Sequence, residues 1–344
     1  MATKEGRQRI RSPRKGILKR LDEGPVLGDG GYLIELEKRG YVQAGPFTPE
    51  VVLKNPAALG ELHREFLDAG AEVLQSLTFY ASKEKLGTVG YAGKVRDLNR
   101  EAVRIARMAA GDRALVAGNI SLTWLYDPKD PKSADRVRRE FDEQLKVQLA
   151  EGIDFVIGET FSYLGEALVA VEAGKATRIP TMVTMCFENE PRTPEGKTPA
   201  ECAKALVDAG ADIVGVNCLR NPRHMLPLAI EMREAVDVPI ACQPTAIRTP
   251  DDRPDFTSLP QFPYELEALT LSRREMADYA RQARAADIRF IGACCGTIPA
   301  HIREMARALG KIQQEDRSWR IDYDRPMSGY EYYKHTERPP GQGP

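Results

Sequence analysis

A short pattern that recurs along the chain constrains the fold more than any other feature. In this pattern a helix ends, a glycine follows and an apolar strand begins. It occurs at residues 67–74, 150–156 and 207–214, and a version without the glycine occurs at residues 285–291. Such junctions form when a helix packs back on a parallel sheet and leads through a short loop into the next strand. The repeat therefore predicts alternating helices and parallel strands.

The number of these units decides between the possible α/β folds. Eight apolar runs have the character of strands, at residues 25–28, 72–76, 114–118, 153–158, 180–185, 212–217, 238–242 and 288–292. Helical patterns separate them, for example at residues 93–110, 135–150, 198–209 and 273–286, and capping boxes open the last two of these helices. The count predicts a single-domain (β/α)8 TIM barrel. A doubly wound open sheet is the alternative, but no Gly-x-Gly-x-x-Gly loop follows the first strand.

The predicted strands end in polar residues. These are Asp29, Gln75, Asn119, Glu159, Cys186, Asn217, Cys218, Gln243, Cys294 and Cys295. In barrels of this kind, chemistry takes place at the carboxyl ends of the strands. A barrel that served only as a scaffold would not need carboxylates, amides and thiols at every strand end. The sequence therefore predicts a functional site at this rim.

Three of the six cysteines suggest a metal site. Cys294 and Cys295 are adjacent, and Cys218 ends another apolar run. Both adjacent sulfurs can reach one metal only if the backbone turns, which the flanking Gly292 and Gly296 permit. Three thiolates with an open fourth position are typical of catalytic zinc. Buried packing thiols or a strained vicinal disulfide are the alternatives. The remaining cysteines, Cys186, Cys202 and Cys242, are interpreted as packing residues.

Such a zinc site would favour one kind of chemistry. With three thiolate ligands the metal is suited to holding a substrate thiol as a nucleophilic thiolate, which then attacks an alkyl group. Asp29 and Glu159 could pair with an ammonium group of that substrate, or act only as capping or loop carboxylates. The rings of Phe47, Phe79 and Tyr80 could attract a quaternary ammonium group, or serve only in packing.

Composition and charge limit the function classes. The chain has 344 residues, of which 42% are hydrophobic and 29% charged, enough for a sizeable core. The net charge of −1 gives no reason to expect a nucleic acid or membrane partner, and no apolar run is long enough to span a bilayer.

We expect a disordered basic tail at residues 1–16, the barrel at 17–312 and an extension at 313–344. The cysteine spacing favours reduced thiols and a cytoplasmic protein. The long connection at residues 244–271 is typical of a lid or binding segment.

Several motifs together resemble one known family. They are Gly28-Asp29-Gly30-Gly31, Thr78-Phe79-Tyr80-Ala81-Ser82, Gly215-Val216-Asn217-Cys218, Gln243-Pro244 and Gly292-Ala293-Cys294-Cys295-Gly296. Over roughly residues 16–310 the chain is similar to the betaine–homocysteine S-methyltransferases, which are zinc-dependent homocysteine methyltransferases. The resemblance implies a zinc-dependent barrel enzyme that moves a methyl group from glycine betaine to homocysteine, giving dimethylglycine and methionine.

The resemblance also implies roles for individual residues. Cys218, Cys294 and Cys295 match the zinc ligands, and Asp29 and Glu159 match the homocysteine-binding acids, which we expect to be the catalytic pair. Phe79 and Tyr80 match the betaine pocket, with Phe47 beside it. We expect Gly30, Ser76 and Gln243 to contact substrate as well, and the protein to be a homo-oligomer.

Three departures from the family pattern qualify these expectations. The animal enzymes have tryptophan at the position of Phe47 and tyrosine at the position of Thr160, and their long C-terminal oligomerisation arm is shortened here. Another methyl donor is therefore the main alternative: a different betaine, S-methylmethionine or dimethylsulfoniopropionate. A non-enzymatic barrel with a structural zinc is a further alternative, but no fourth cysteine or histidine lies near the three thiols in sequence.

Overall fold

Eight parallel strands form the centre of the protein. The computed structural model describes residues 15–312, so the C-terminal extension and all but the last two residues of the predicted basic tail lie outside the described residues. The strands are β1 (Val26–Leu27), β2 (Val73–Gln75), β3 (Leu115–Ser121), β4 (Phe155–Phe161), β5 (Thr181–Met185), β6 (Ile213–Asn217), β7 (Ile240–Gln243) and β8 (Phe290–Ile291). They pair in the order β1-β8-β7-β6-β5-β4-β3-β2, and every pair is parallel. The predicted (β/α)8 barrel is confirmed.

The barrel is closed between β1 and β2 partly by side chains. The backbone N–H of Glu72 donates to the carbonyl of Leu27 at 2.9 Å, and the Glu72 carboxylate accepts from the Leu27 N–H at 2.9 Å. Further along, the Asp29 carboxylate accepts from the backbone N–H of Gln75 at 2.7 Å. Because β1 is only two residues long, these carboxylates satisfy backbone donors that a longer strand partner would satisfy. Asp29 is thereby fixed at the end of the seam.

Twelve helices of the described region surround the strands. They are α1 (Ile17–Glu23), α2 (Leu33–Lys38), α3 (Val51–Lys54), α4 (Pro56–Asp68), α5 (Lys83–Gly87), α6 (Val95–Ala110), α7 (Ser133–Ala150), α8 (Leu164–Ala176), α9 (Pro199–Asp208), α10 (Pro222–Ala235), α11 (Arg273–Ala285) and α12 (Pro299–Ala308). Both predicted capping boxes form, Thr198 with Glu201 and Ser272 with Glu275. None of the described helices has the length and apolar character needed to cross a bilayer.

Helix α1 closes the amino end of the barrel. Its Ile17 and Leu21 are each 1% exposed and pack against residues from the starts of the strands, including Val26, Val73 and Phe155. Burying each of these aliphatic side chains is worth roughly 1.5–3 kcal/mol. With the amino end filled by apolar side chains, the polar strand ends are left at the opposite, carboxyl end.

The long connection after β7 packs over that carboxyl end. Residues 244–271 contain two 3-10 turns, Phe256–Ser258 and Glu267–Leu269, and two isolated antiparallel bridges. Ile247, Phe256 and Leu266 from this segment form an apolar cluster with Cys218 and Ile34. The segment therefore covers one side of the cysteine cluster, and its role as a lid stays a prediction.

Candidate active site

Three thiols converge at the carboxyl end of the barrel. Cys218 follows β6 directly, and Cys294 and Cys295 lie just beyond β8. The Sγ atom of Cys295 is 3.7 Å from that of Cys218 and 4.0 Å from that of Cys294, and all three sulfurs lie within 4.8 Å of one another. Sulfurs bound tetrahedrally to zinc at about 2.3 Å are about 3.8 Å apart. The donor set thus fits zinc, and at 4.0 Å the sulfurs of Cys294 and Cys295 are not joined by a disulfide.

The end of β7 brings the two cysteine segments together. The N–H of Cys218 donates to the carbonyl of Gln243 at 3.0 Å, and the N–H of Cys294 donates to the carbonyl of Pro244 at 2.8 Å. Because β7 lies between β6 and β8, the two bonds direct both turns toward one point. At Gly292, an added Cβ would lie 2.9 Å from Oε1 of Gln243, so a side chain there would displace the Gln243 amide.

The thiols share protons unequally. Hydrogen bonds from Cys218 and Cys295 hold the pKa of Cys294 well below its usual range. The pKa of Cys218 is raised in turn, because its proton is held by Cys294 and Cys295. A metal ion takes up such a site by displacing the remaining protons, since cysteine binds metal as the thiolate.

Glu159 is held beside the thiols by three side-chain amides. Its Oε1 accepts from Gln75 at 2.5 Å and from Asn119 at 2.7 Å, and its Oε2 accepts from Asn217 at 3.1 Å. Gln75 and Asn217 end β2 and β6, Asn119 lies two residues before the end of β3, and Glu159 comes from β4. Burial raises the pKa of Glu159 to about 8, with the charge of Cys294 as a further cause. The amides therefore fix both the position and the orientation of the carboxyl group.

Asp29 is the second carboxyl group of the site, and it is buried. It is 7% exposed, and burial raises its pKa to about 7. Its Oδ2 accepts from the Gln75 N–H and from the Tyr32 hydroxyl. The neighbouring glycines serve close packing, since a Cβ on Gly30 would lie 2.7 Å from the Phe66 ring. None of them has the positive φ that a left-handed turn would need.

One cavity brings most of the predicted residues together. Its lining includes Asp29, Gly30, Ser76, Phe79, Glu159, Cys218, Gln243, Cys294 and Cys295. Tyr80 and Phe47 are not part of this lining. The Tyr80 ring packs on that of Phe79 with centroids 4.2 Å apart, and Phe47 lies 6.2 Å from Phe262 and against the apolar cluster around Cys218.

Unusual backbone conformations concentrate around this cavity. Phe47, Tyr80, Thr160 and Cys218 have φ values of 48°, 59°, 63° and 59°, in the left-handed region that side chains other than glycine rarely adopt. Each such residue costs of order 1–3 kcal/mol and persists where the surroundings hold it in place, often at functional sites.

Comparison with known proteins identifies the family. The protein-family model described as homocysteine S-methyltransferase matches residues 26–309 of this chain. The chain belongs to the homocysteine S-methyltransferase family. Within the family it is 45% identical over 313 residues to betaine–homocysteine S-methyltransferase 1 from Bos taurus, covering 86% of this chain and 75% of the relative. It is 42% identical over 308 residues to S-methylmethionine–homocysteine S-methyltransferase from Pongo abelii, covering 86% of this chain and 82% of the relative.

A solved structure agrees with the fold of this homocysteine S-methyltransferase family member. The metallated form of the homocysteine methyltransferase MmuM from Escherichia coli superposes with a TM-score of 0.67 at 21% identity. The match covers 83% of this chain and 97% of that chain. At this identity the likeness shows the barrel architecture alone.

Thr160, which follows Glu159 in β4, forms two hydrogen bonds with Asn217. Its N–H donates to Oδ1 of Asn217 at 2.8 Å, and its hydroxyl accepts from Nδ2 of Asn217 at 2.7 Å. Thr160 thus supports the residue before Cys218 and helps to orient the amide that holds Glu159.

Sequence reasoning missed a buried pair behind Asp29. The Tyr32 hydroxyl lies 2.9 Å from Nδ1 of His63, whereas Nε2 of His63 has no hydrogen-bond partner in the described structure. Burial lowers the pKa of His63 to about 3, so the ring is neutral. Because Tyr32 donates to Asp29, Nδ1 of His63 is the donor to Tyr32. A histidine on the apolar face of α4, beside Leu59, Leu62 and Phe66, is the only sequence signal of this pair.

Proposed function

We propose that this protein transfers a methyl group from glycine betaine to the sulfur of homocysteine, giving dimethylglycine and methionine. The observation that carries the proposal is the cluster of three thiols in one cavity with two carboxyl groups, Asp29 and Glu159. The 45% identity to enzymes named betaine–homocysteine S-methyltransferase 1, from Bos taurus and Mus musculus, supports the same reaction.

Cys218, Cys294 and Cys295 would hold a zinc ion. The sulfur separations of 3.7 and 4.0 Å support this assignment. In the described structure the group of candidate ligand atoms contains only these three sulfurs, which leaves the fourth position of a tetrahedral site for a substrate. When bound, zinc would allow a substrate thiol to exist as a thiolate near neutral pH.

Asp29 and Glu159 would bind the ammonium group of homocysteine. Both line the cavity beside the thiols, and their pKa values of about 7 and 8 leave each carboxyl group partly protonated near neutral pH. A substrate ammonium would favour the ionised forms, because an opposite charge lowers the pKa of a carboxyl group. Gly30, Ser76 and Gln243 line the same cavity and would contact the substrate there.

The aromatic residues would bind the methyl donor. Phe79 lines the cavity, Tyr80 packs against it, and Phe47 lies beside the cysteine cluster. In the transfer, a sulfur–carbon bond forms while a nitrogen–carbon bond of the donor breaks, and its electron pair stays on the leaving amine. The amine leaves neutral and needs no proton, so these residues contribute alignment and cation–π binding rather than acid–base catalysis.

A sulfonium donor is the second candidate. The 42% identity to a relative from Pongo abelii named S-methylmethionine–homocysteine S-methyltransferase favours it. Phe47 favours it as well, since the family resemblance implies tryptophan at this position in the animal betaine enzymes. Zinc-loaded protein with homocysteine and a panel of glycine betaine, S-methylmethionine and dimethylsulfoniopropionate decides between the donors. We expect the highest kcat/KM with glycine betaine. A higher value for a sulfonium would replace the proposed donor, and no transfer from any donor would overturn the proposal.

We further propose that the protein acts in the cytoplasm as a homo-oligomer in methionine formation, with only small molecules as substrates. All six cysteines are free, as a reducing compartment would require. Light scattering of the purified full chain tests the oligomer, and a monomer at micromolar concentration would overturn that part of the proposal.

A further inference from the structure

Lys85 lies between two aromatic rings at the rim of the barrel. Its Nζ atom is 4.0 Å from the centroid of the Tyr80 ring and 4.5 Å from that of the Trp124 ring. Both distances are well inside the roughly 6 Å range of a cation–π contact. Tyr80 follows β2, Trp124 follows β3 and Lys85 belongs to α5, so three separate segments build the arrangement. The rings are therefore spaced to hold a cation of about this size.

The Lys85 ammonium has aromatic partners in place of a carboxylate. Within residues 15–312 the structure records no ion pair for it, in contrast to lysines such as Lys175, which pairs with Asp212 at 2.9 Å. Lys85 is half-buried, and burial lowers its pKa. The charge of the neighbouring Glu84 partly offsets this effect without forming an ion pair, so the two rings are the close contacts of the ammonium.

Only one face of the Tyr80 ring can receive a cation. The centroids of Phe79 and Tyr80 are 4.2 Å apart at an interplanar angle of 43°, which requires the rings to overlap face to face in part. Two groups at about 4 Å above one face would collide, so Lys85 covers the face that Phe79 does not. A ligand cation that stacks on Tyr80 must take the position of the Lys85 ammonium.

Trp124 forms the outer wall of this arrangement. It is 67% exposed, although a large aromatic side chain is normally buried, and its φ of 69° lies in the left-handed region. A hydrogen bond between its side chain and the Tyr80 hydroxyl lowers the pKa of Tyr80, against the larger effect of burial. The Tyr80 ring packs on Phe79, and Phe79 lines the cavity that holds the three thiols, so the cleft is linked to that cavity through one shared ring pair.

We infer that Tyr80 and Trp124 form a cage for the cation of the methyl donor, and that Lys85 fills this cage until the donor displaces it. The class of ligand is a quaternary ammonium or sulfonium ion, and the identity of the donor rests on the proposed function. Lys85 therefore competes with the donor and weakens its binding, and Trp124 is a specificity-determining residue that adds a second ring to the site.

Tryptophan fluorescence tests the competition without turnover. The chain has two tryptophans, and replacing Trp319, which lies outside the described residues, with Phe leaves Trp124 as the sole fluorophore. The purified Trp319→Phe protein is titrated with tetramethylammonium and with glycine betaine. Removing the lysine with Lys85→Ala should tighten binding of both by about five- to thirtyfold, the equivalent of two exposed cation–π contacts.

Lys83→Ala is the matched control. Lys83 is an exposed lysine of the same helix, two residues away, with no recorded contact to either ring, so its removal changes the net charge equally. It should leave both affinities unchanged. If Lys83→Ala tightened the binding of both ligands as much as Lys85→Ala does, the cause would be the change in net charge, and the inference would be overturned. So would unchanged or weaker binding in Lys85→Ala, or a Trp124 signal that does not respond to tetramethylammonium in either protein.

Steady-state kinetics separate this inference from the proposed function. In Lys85→Ala, the KM for the donor should fall while the KM for homocysteine stays the same. If the protein transfers methyl groups but tetramethylammonium does not bind at Trp124, the inference fails and the proposed function stands. If tetramethylammonium binds more tightly in Lys85→Ala but glycine betaine is not a donor, the cage stands and the proposed donor fails.

Discussion

The side-chain amide of Asn217 donates a hydrogen bond to Oε2 of Glu159 at 3.1 Å, although the two residues are 58 positions apart. Asn217 ends β6, and Cys218 follows it directly. Its Oδ1 also accepts from the Thr160 N–H and the Thr184 hydroxyl, each at 2.8 Å. One side chain therefore connects the segment that carries a thiol with the carboxyl group beside it, and it has no spare polar atom.

This connection predicts the effect of Asn217→Asp. The variant removes the donor to Glu159 and places a second carboxyl group against it, at a cost of about 1–3 kcal/mol for the lost, buried hydrogen bond. We expect the KM for homocysteine to rise by about tenfold or more, with zinc content near that of the wild type. The exposed Asn55→Asp is the control and should behave as the wild type. An unchanged KM in Asn217→Asp would show that the orientation of Glu159 does not matter for binding.

The thiol cluster predicts which cysteines control metal content. Cys294→Ala removes one of three sulfurs, so zinc measured by atomic emission should fall far below one ion per chain, and activity should be lost. Cys202→Ala is the control, because Cys202 is a buried cysteine of α9 outside the cluster. Its variant should keep its zinc. Full zinc content in Cys294→Ala would refute the assignment of the three ligands.

His63 predicts a pH dependence of stability. Its folded-state pKa of about 3 lies below the unfolded value of about 6.5. Between these values the unfolded chain binds a proton that the folded protein does not bind. The free energy of unfolding should therefore fall as the pH drops from about 6.5 toward 3, by up to about 1.4 kcal/mol per pH unit, and be unaffected by this group above about 6.5.

The variant His63→Gln isolates this contribution. Urea unfolding of the metal-free proteins gives the free energy of unfolding at each pH. The advantage of the wild type over the variant should shrink as the solution is acidified below about pH 6.5. A difference that stays constant across this range would mean that His63 titrates normally in the folded protein.

Phe47 predicts a change in donor binding. It packs against the apolar cluster that includes Cys218, as Cys294 and Cys295 do, and its ring is 6.2 Å from that of Phe262. Phe47→Trp should leave the KM for glycine betaine unchanged or lower it, because indole is the stronger cation–π partner. Phe47→Ala should raise this KM several-fold. Loss of glycine betaine use in Phe47→Trp alone would show that the pocket is shaped for another donor.

The barrel and the thiol cluster could be predicted because their signals are local or repeated. Strand β6 was expected at residues 212–217 and is found at Ile213–Asn217, since a buried strand appears in sequence as a short apolar run. The shortest strands are the least well predicted. Residues 25–28 were expected where only Val26–Leu27 pair as a strand, because carboxylates of Glu72 and Asp29 replace part of the ladder.

The contacts that surround the cluster could not be predicted in the same way. Lys85 and Trp124 are 39 residues apart, and nothing near either one indicates that their side chains meet across the ends of β2 and β3. The pairing of Tyr32 with His63 is equally non-local. The close packing at Gly30 and Gly292 depends on the neighbours that the barrel brings near, Phe66 and Gln243, so the sequence indicates only that glycine is present there.

The most direct test of the account follows the methyl group itself. Zinc-loaded protein is mixed with homocysteine and glycine betaine deuterated in its methyl groups, and the products are analysed by mass spectrometry beside Cys294→Ala. For the wild type, we predict methionine that carries one fully deuterated methyl group and an equal amount of dimethylglycine that keeps the other two deuterated methyl groups. The variant should form neither product. Unlabelled methionine, or no methionine while a sulfonium donor still reacts, would contradict the account.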